Sequence, residues 1–207
     1  MPVITISHQI GSGGREIGQA VATAMGLPYI DREIVQGVAQ RLNISEDTAK
    51  LLDEHADHLV DQVFGAFRYM PLEIGEMVED IGLDTQTYQR TTQTVLEAVA
   101  AKGQVVIAGH GANFFLNKRT DVLSVFIYAP VETRIERVMQ YENLNQADAT
   151  KRVHKSDGER AHYIKTFYHV DWRDPNHYQL MINTAFAPYG LTASVIEQAA
   201  RYCKDCP

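Results

Sequence analysis

Cysteine is almost missing from this chain: of 207 residues only Cys203 and Cys206 are cysteines, close to the end of the sequence. That excludes a disulfide framework, and a lone C-x-x-C without a second ligand pair reads as tail thiols rather than a zinc or redox centre. Long apolar runs are missing too. None approaches the ~20 residues of a membrane-spanning helix. The first apolar stretch is too short for a signal peptide and lacks its basic flank, so a cytoplasmic protein is expected. Positive charge is scarce: 19 Lys and Arg stand against 26 Asp and Glu, a net charge of −7. This argues against DNA, RNA or a membrane surface as partner, while leaving a local cationic cluster free to hold one small anionic molecule. Repeats and low-complexity tracts are absent. What is present, 45% apolar and 22% charged residues, is the make-up of one globular domain able to bury its own core.

The apolar pattern alternates between strand and helix. Residues 3–7 read as a strand, and Ile17, Ala20, Val21, Ala24 and Met25 give residues 14–25 a helical face that Gly26 ends. Leu27 to Ile30 reads as a short strand, and Asp31 as the cap of a helix whose face is Ile34, Val35, Val38 and Leu42. Ser45, Glu46 and Asp47 open another helix, with short helical pieces carrying Leu51 to Phe67 up to Pro71. The longest clean helix is expected over 84–102, stopped by Gly103, followed by a short strand at 105–108 whose unbroken apolar character suits burial on both faces. A strand at 122–128, a helix that Pro130 starts and that runs to about Tyr141, a last strand at 178–183 and a final helix capped by Thr192 complete the series. This is an α/β pattern with a parallel five-stranded sheet flanked by helices. Two stretches interrupt it. They divide the expected single domain into a core (about 1–30, 102–144 and 175–207), a helical insert (about 31–101) and a charged lid (about 145–174).

Chemistry concentrates in three places. The first is Gly11-Ser12-Gly13-Gly14-Arg15, where a strand passes through a glycine cluster into a helix, the layout that points backbone N–H groups at a phosphate. A complete G-x-x-x-x-G-K-[ST] loop would add a lysine and a metal-binding hydroxyl. With Gly13 as its last glycine, Gly14 takes the lysine position, Arg15 the hydroxyl position, and His8 that of the first glycine. If Arg15 instead replaces the lysine, Glu16 falls on the hydroxyl. The backbone half of the cradle survives either way. A plain turn, or a dinucleotide site with Asp31 on a ribose, are the rival readings, the latter lacking its third glycine because Glu16 stands there. The second place is Gly109-His110-Gly111, at the carboxyl end of a buried strand where ligands gather in such sheets. The third is the charged run from Lys151 to Lys165, in which Arg152, Lys155 and Arg160 share a helical face suited to a polyphosphate.

ITISHQIGSGGREIG with GLPYIDREI, then VVIAGHGANFFL, then Asp157-x-x-Arg160-x-x-Tyr163 and YQLMINT, resembles the cytidylate kinase-like family over nearly the whole chain. The resemblance implies a phosphate-loop kinase fold, ATP and Mg2+ as cofactors, and a nucleoside monophosphate such as CMP as acceptor. Carried over by position, it implies that Gly11, Ser12, Gly13, Gly14 and Arg15 cradle the donor, and that Asp31, His110 and Arg134 meet the acceptor. It also implies that Arg15, Arg152, Asp157 and Arg160 serve catalysis, with Arg137 beside Arg134 on the helix after the fourth strand. His110 stands where these kinases carry arginine, and the loop lysine is missing. A nucleotide-binding or sensing protein that kept the cradle and lost catalysis is therefore the second functional reading.

Overall fold

A run of β-branched residues, Val-Ile-Thr-Ile, begins the central strand β1 (Val3–His8). Its apolar side chains are almost wholly buried, as in a strand covered on both faces. The computed structural model describes residues 3–31, 37 and 85–203. β1 leads through the glycine loop into α1 (Gly14–Met25) and then β2 (Tyr29–Ile30). After α2 (Thr85–Ala101) come β3 (Val105–Ala108), the short α3 (Ala112–Phe115), β4 (Val122–Tyr128), α4 (Val131–Glu142) and α5 (Gln146–Tyr168). A 3-10 turn (Pro175–His177), β5 (Leu180–Asn183) and α6 (Tyr189–Tyr202) follow.

The five strands form one sheet in the order β2-β3-β1-β4-β5, and every pairing is parallel. Val3 pairs with Val105 on one side and Val122 on the other, so β1 sits between the two directions in which the chain builds the sheet. Such a switch point opens a crevice beyond the carboxyl ends of the strands, where the glycine loop lies. On one face α1 and α6 pack against the sheet through Ile17, Val21 and Ile196, all fully buried. On the other, Val95, Leu96 and Ala100 of α2 cover Val3 and Ile107. At about 1.5–3 kcal/mol for each large apolar side chain removed from water, these contacts anchor α1 firmly enough to fix the loop that precedes it. A separate cluster of Phe114, Phe126, Ile164, Trp172 and Tyr178 ties the far part of α5 to the sheet.

Strands β3 and β4 and helices α1, α2 and α4 fall where the sequence places them, within a residue or two. Apart from residue 37, which is helical, the helices expected through Ile34 to Leu42, from Ser45 and across Leu51 to Phe67 lie outside the described residues, as does Cys206. Three boundaries differ. β5 begins at Leu180 rather than Tyr178, because Pro175 first closes a 3-10 turn that Asp174 caps through the Asn176 N–H. β2 is confined to Tyr29–Ile30, and Pro28 contributes a carbonyl to Val106 instead of a strand residue. α6 begins at Tyr189, with Pro188 as its flanking residue. Thr192 is therefore not a cap but a buried side chain within the helix, its hydroxyl donating to the Ala187 carbonyl at 3.3 Å.

Candidate functional site

The loop between β1 and α1 is held by its carbonyls. Ser12 donates its hydroxyl to the carbonyls of Gln9 (2.7 Å) and Ile127 (3.1 Å), and Thr184 donates to the Ser12 carbonyl at 2.8 Å. Arg137 donates to the Gly11 carbonyl (3.2 Å) and to both the hydroxyl and carbonyl of Thr184 (3.0 and 2.9 Å). With these oxygens satisfied from behind, the N–H groups of Gly13, Gly14 and Arg15, which form no backbone–backbone hydrogen bond, are left at the start of α1. That is the arrangement for an anion: unpaired donors and the positive end of a helix dipole in one place.

Two glycines are required here for room. Gly13 adopts φ +81°, and a Cβ on it would lie 2.1 Å from the Tyr189 ring. A Cβ on Gly14 would lie 2.3 Å from the Cβ and Cγ of His8. The imidazole of His8 thus fills the space beside the position where a complete loop carries its lysine, so His8 and Gly14 act as a matched pair. Tyr189 in turn carries the Arg137 guanidinium over its ring at 5.3 Å.

The cavity in front of the loop has a volume of about 540 Å³, and among its walls are Gly13, Gly14, Arg15, Arg137, Arg152 and Arg160. Arg15, half exposed, makes an ion pair with Asp31 at 3.0 Å. Arg152 reaches from α5 toward Glu142, 3.5 Å away. Arg160 donates to the His8 carbonyl and lies over the Trp172 ring at 6.0 Å. Burial lowers the Arg160 pKa and the charge of Asp157 acts against that, the guanidinium remaining a cation. Trp172 is itself pinned by donating its indole N–H to the Ser7 hydroxyl at 2.9 Å. The charged run thus brings two arginines to the cavity, whereas Lys155, expected on the same face, is exposed and pairs with Glu159 at 3.6 Å.

The other sequence-derived residues lie behind or beside this cavity. Arg134, expected to contact an acceptor, is buried and bound fork to fork by Asp157, at 3.0 and 2.8 Å, and donates to the Ala129 carbonyl. Asp157 also has Arg173 at 3.6 Å. This pair clamps α4 to α5 under the loop, so Asp157 orients an arginine rather than facing the cavity. His110, in a left-handed conformation (φ 55°) between two left-handed glycines, sets its Nε2 3.1 Å from the Asp31 carbonyl. Asp31 is pushed up by burial, but His110 and Arg15 outweigh that and hold its carboxyl below the usual range. Three residues of this region escape sequence reasoning: Tyr141 and Tyr189 on the cavity wall and Trp172 beneath Arg160.

His8 is driven far below its usual pKa of 6.5, to about 3, chiefly by burial and then by the charge of Arg160. Its Nδ1 is buried and has no hydrogen-bond partner. The unfolded chain therefore takes up a proton near pH 6.5 that the folded chain refuses, so acidification favours unfolding. Stability should fall between pH 6.5 and 4, with a slope approaching ~1.4 kcal/mol per pH unit from this one group. The share of Asp31 enters only lower, around its usual value of 3.8. Denaturant unfolding at stepped pH should show that slope in the native chain and its loss in His8→Asn; an unchanged slope would contradict the assignment.

Mg2+, which the resemblance implies, does not fit the donors among the described residues. With Gly13 as the loop's last glycine, Arg15 stands at the hydroxyl position, the Ser12 hydroxyl is buried and bonded to two carbonyls, and the Ser7 hydroxyl accepts from Trp172. Of the described carboxylates near the cavity, Asp31, Glu142 and Asp157 each face an arginine, and Glu16 stands on the wall beside Arg15 as a single further carboxylate. Among the described residues no group of three or more His, Cys, Asp or Glu side chains could hold a metal ion. None of the described helices is long and apolar enough to cross a membrane.

A family model described as the cytidylate kinase-like family matches residues 3–185. The cytidylate kinase of Pyrococcus horikoshii is 25% identical over 198 residues, covering 93% of this chain and 85% of that protein. The cytidylate kinase of Methanocaldococcus jannaschii is 27% identical over 122 residues, 53% of this chain and 68% of that one. Among solved structures, an uncharacterized protein from Eubacterium ventriosum superposes with a TM-score of 0.68 at 18% identity, covering 97% of this chain and 99% of that one. Shikimate kinase from Acinetobacter baumannii, in complex with shikimate, gives 0.55 at 15% identity, with 99% and 96% covered. At these identities the structural likeness is one of fold.

Proposed function

The chain belongs to the cytidylate kinase-like family, and on that footing we propose that it transfers the γ-phosphoryl group of ATP to a nucleoside monophosphate, CMP being the first acceptor to try. The observation that carries this reading is the convergence of the unpaired amides of Gly13, Gly14 and Arg15 with the guanidinium groups of Arg15, Arg152 and Arg160 on one cavity. Phosphoryl transfer needs little covalent help from a protein. It needs the acceptor oxygen in line with the bond to the leaving group, and it needs charge neutralised on the oxygens of the moving phosphoryl.

In this reading the amides hold the donor's phosphates, and Arg15 and Arg160 approach the transferring group from α1 and α5. Arg152 adds charge at the outer wall. Asp157 holds Arg134, and Arg137 braces Gly11 and Thr184, so both act through the loop's position. Asp31 and His110, joined to the loop through Arg15, mark the acceptor side.

The test is transfer of label from γ-labelled ATP across CMP, UMP, AMP, GMP and dCMP, resolved by chromatography. A labelled nucleoside diphosphate is the expected product. Label that stays in ATP at high enzyme, with ATP bound in calorimetry, would favour the second reading of a non-catalytic nucleotide-binding protein. That reading draws on Gly14, which supplies no ammonium, and on His8, which fills the space beside it.

A further inference from the structure

We infer that this site takes its nucleoside triphosphate as the metal-free anion, with the Arg15 guanidinium serving where a complete phosphate loop presents a hydroxyl to Mg2+; this rests on the nucleotide-binding reading above. In a complete loop the lysine and the metal share the charge of the β- and γ-phosphates. Here both positions have changed together. Gly14 contributes no charge, and the imidazole of His8 closes the adjoining space. Arg15 brings a permanent cation to the very position from which a hydroxyl would bind metal.

The surroundings agree with a site for a bare polyphosphate. Four guanidinium groups, of Arg15, Arg137, Arg152 and Arg160, line one cavity in a chain whose net charge is −7. Three of the described carboxylates near it already face an arginine: Asp31 with Arg15, Glu142 with Arg152, and Asp157 with Arg134 and Arg173; Glu16, beside Arg15 on the cavity wall, is the fourth. A hydrated Mg2+ would have to break one of these pairs, or sit at Glu16 or on its bound phosphates beside the guanidinium groups, which repel it. A free triphosphate meets no such obstacle. Its oxygens exchange with Asp31 for Arg15, swapping one anion for another on a fork-shaped donor that binds phosphate in two bonds.

The experiment is calorimetric titration of the full chain with ATP in excess EDTA and in excess MgCl2, with γ-phosphoryl transfer measured on the same samples. Binding in EDTA should match or exceed binding in MgCl2. Arg15→Ser, with folding checked by circular dichroism, should weaken the EDTA binding about tenfold or more and turn the preference toward the magnesium complex. Native binding that Mg2+ tightens about tenfold or more, with transfer occurring only then, overturns the inference and leaves the kinase reading standing. Absence of binding and transfer in both media removes both.

Discussion

Arg160→Ala should lower the rate of γ-phosphoryl transfer by about a thousandfold, the scale on which arginines that meet a transferring phosphoryl act. The side chain crosses from α5 to the end of β1, donates to the His8 carbonyl and is kept in place by the Trp172 ring. Its guanidinium is therefore preorganised at the cavity rather than recruited from solvent, the condition under which a charge stabilises a transition state more than a ground state. ATP affinity should fall by much less, about tenfold, because the amides and Arg15 remain. Single-turnover assays alongside calorimetry separate the two effects. Arg119→Ala makes a useful surface control, since Arg119 pairs with Asp121 just before β4, at the opposite end of the sheet from the cavity. Equal losses of affinity and rate in Arg160→Ala would make the residue a binding contact only.

Asp157→Ala should cost the fold about 3–5 kcal/mol, because it strands the buried Arg134 guanidinium without its counter-charge. For a chain of this size that corresponds to a fall in melting temperature on the order of 10 °C. Arg134 keeps bonds to the Ala129 and Ile10 carbonyls, which neutralise none of its charge. Replacing both partners by apolar residues of similar volume, Arg134→Met with Asp157→Leu, should recover much of the stability. The double variant should still transfer phosphoryl poorly, since α4 and α5 lose the clamp that sets Arg137 and Arg160 against the loop. Denaturant unfolding of Arg134→Met, Asp157→Leu and the double variant reads the coupling directly. A double variant as unstable as Asp157→Ala would assign the loss to packing rather than to charge.

The parts of this molecule written in short range are those the sequence discloses. β3 is an unbroken apolar run between Gly103 and Gly109, β4 is apolar but for Ser124 and ends ahead of Pro130, and the glycine cluster after β1 announces a loop with exposed amides. Pro130 marks the start of α4 by the missing N–H that a helix end tolerates. The same signal at Pro188 marks α6, where Thr192 offered a more familiar side-chain cap. Contacts between distant residues are another matter. Nothing local to Arg134 or Asp157 says that they meet, because that contact depends on how α4 packs against α5. His110 and Asp31 are brought together by strands that neighbour one another in the sheet, and only the fold sets them side by side. The exchange of His8 with Gly14 could be read as a departure from a pattern, yet its meaning, one side chain filling the space beside another position, is steric and needs coordinates. Tyr189 had a signal, since residues just beyond the carboxyl ends of parallel strands line such crevices; Tyr141 had none.

In the proposed function the amides at the start of α1 receive the phosphates of a nucleotide. This is tested most directly by titrating ¹⁵N-labelled protein with ATP and following backbone amide shifts. Gly13, Gly14 and Arg15 should shift most and saturate together, with the Arg15 side-chain signal moving as it leaves Asp31. Saturable binding that leaves those amides unmoved and perturbs a different surface would contradict this reading.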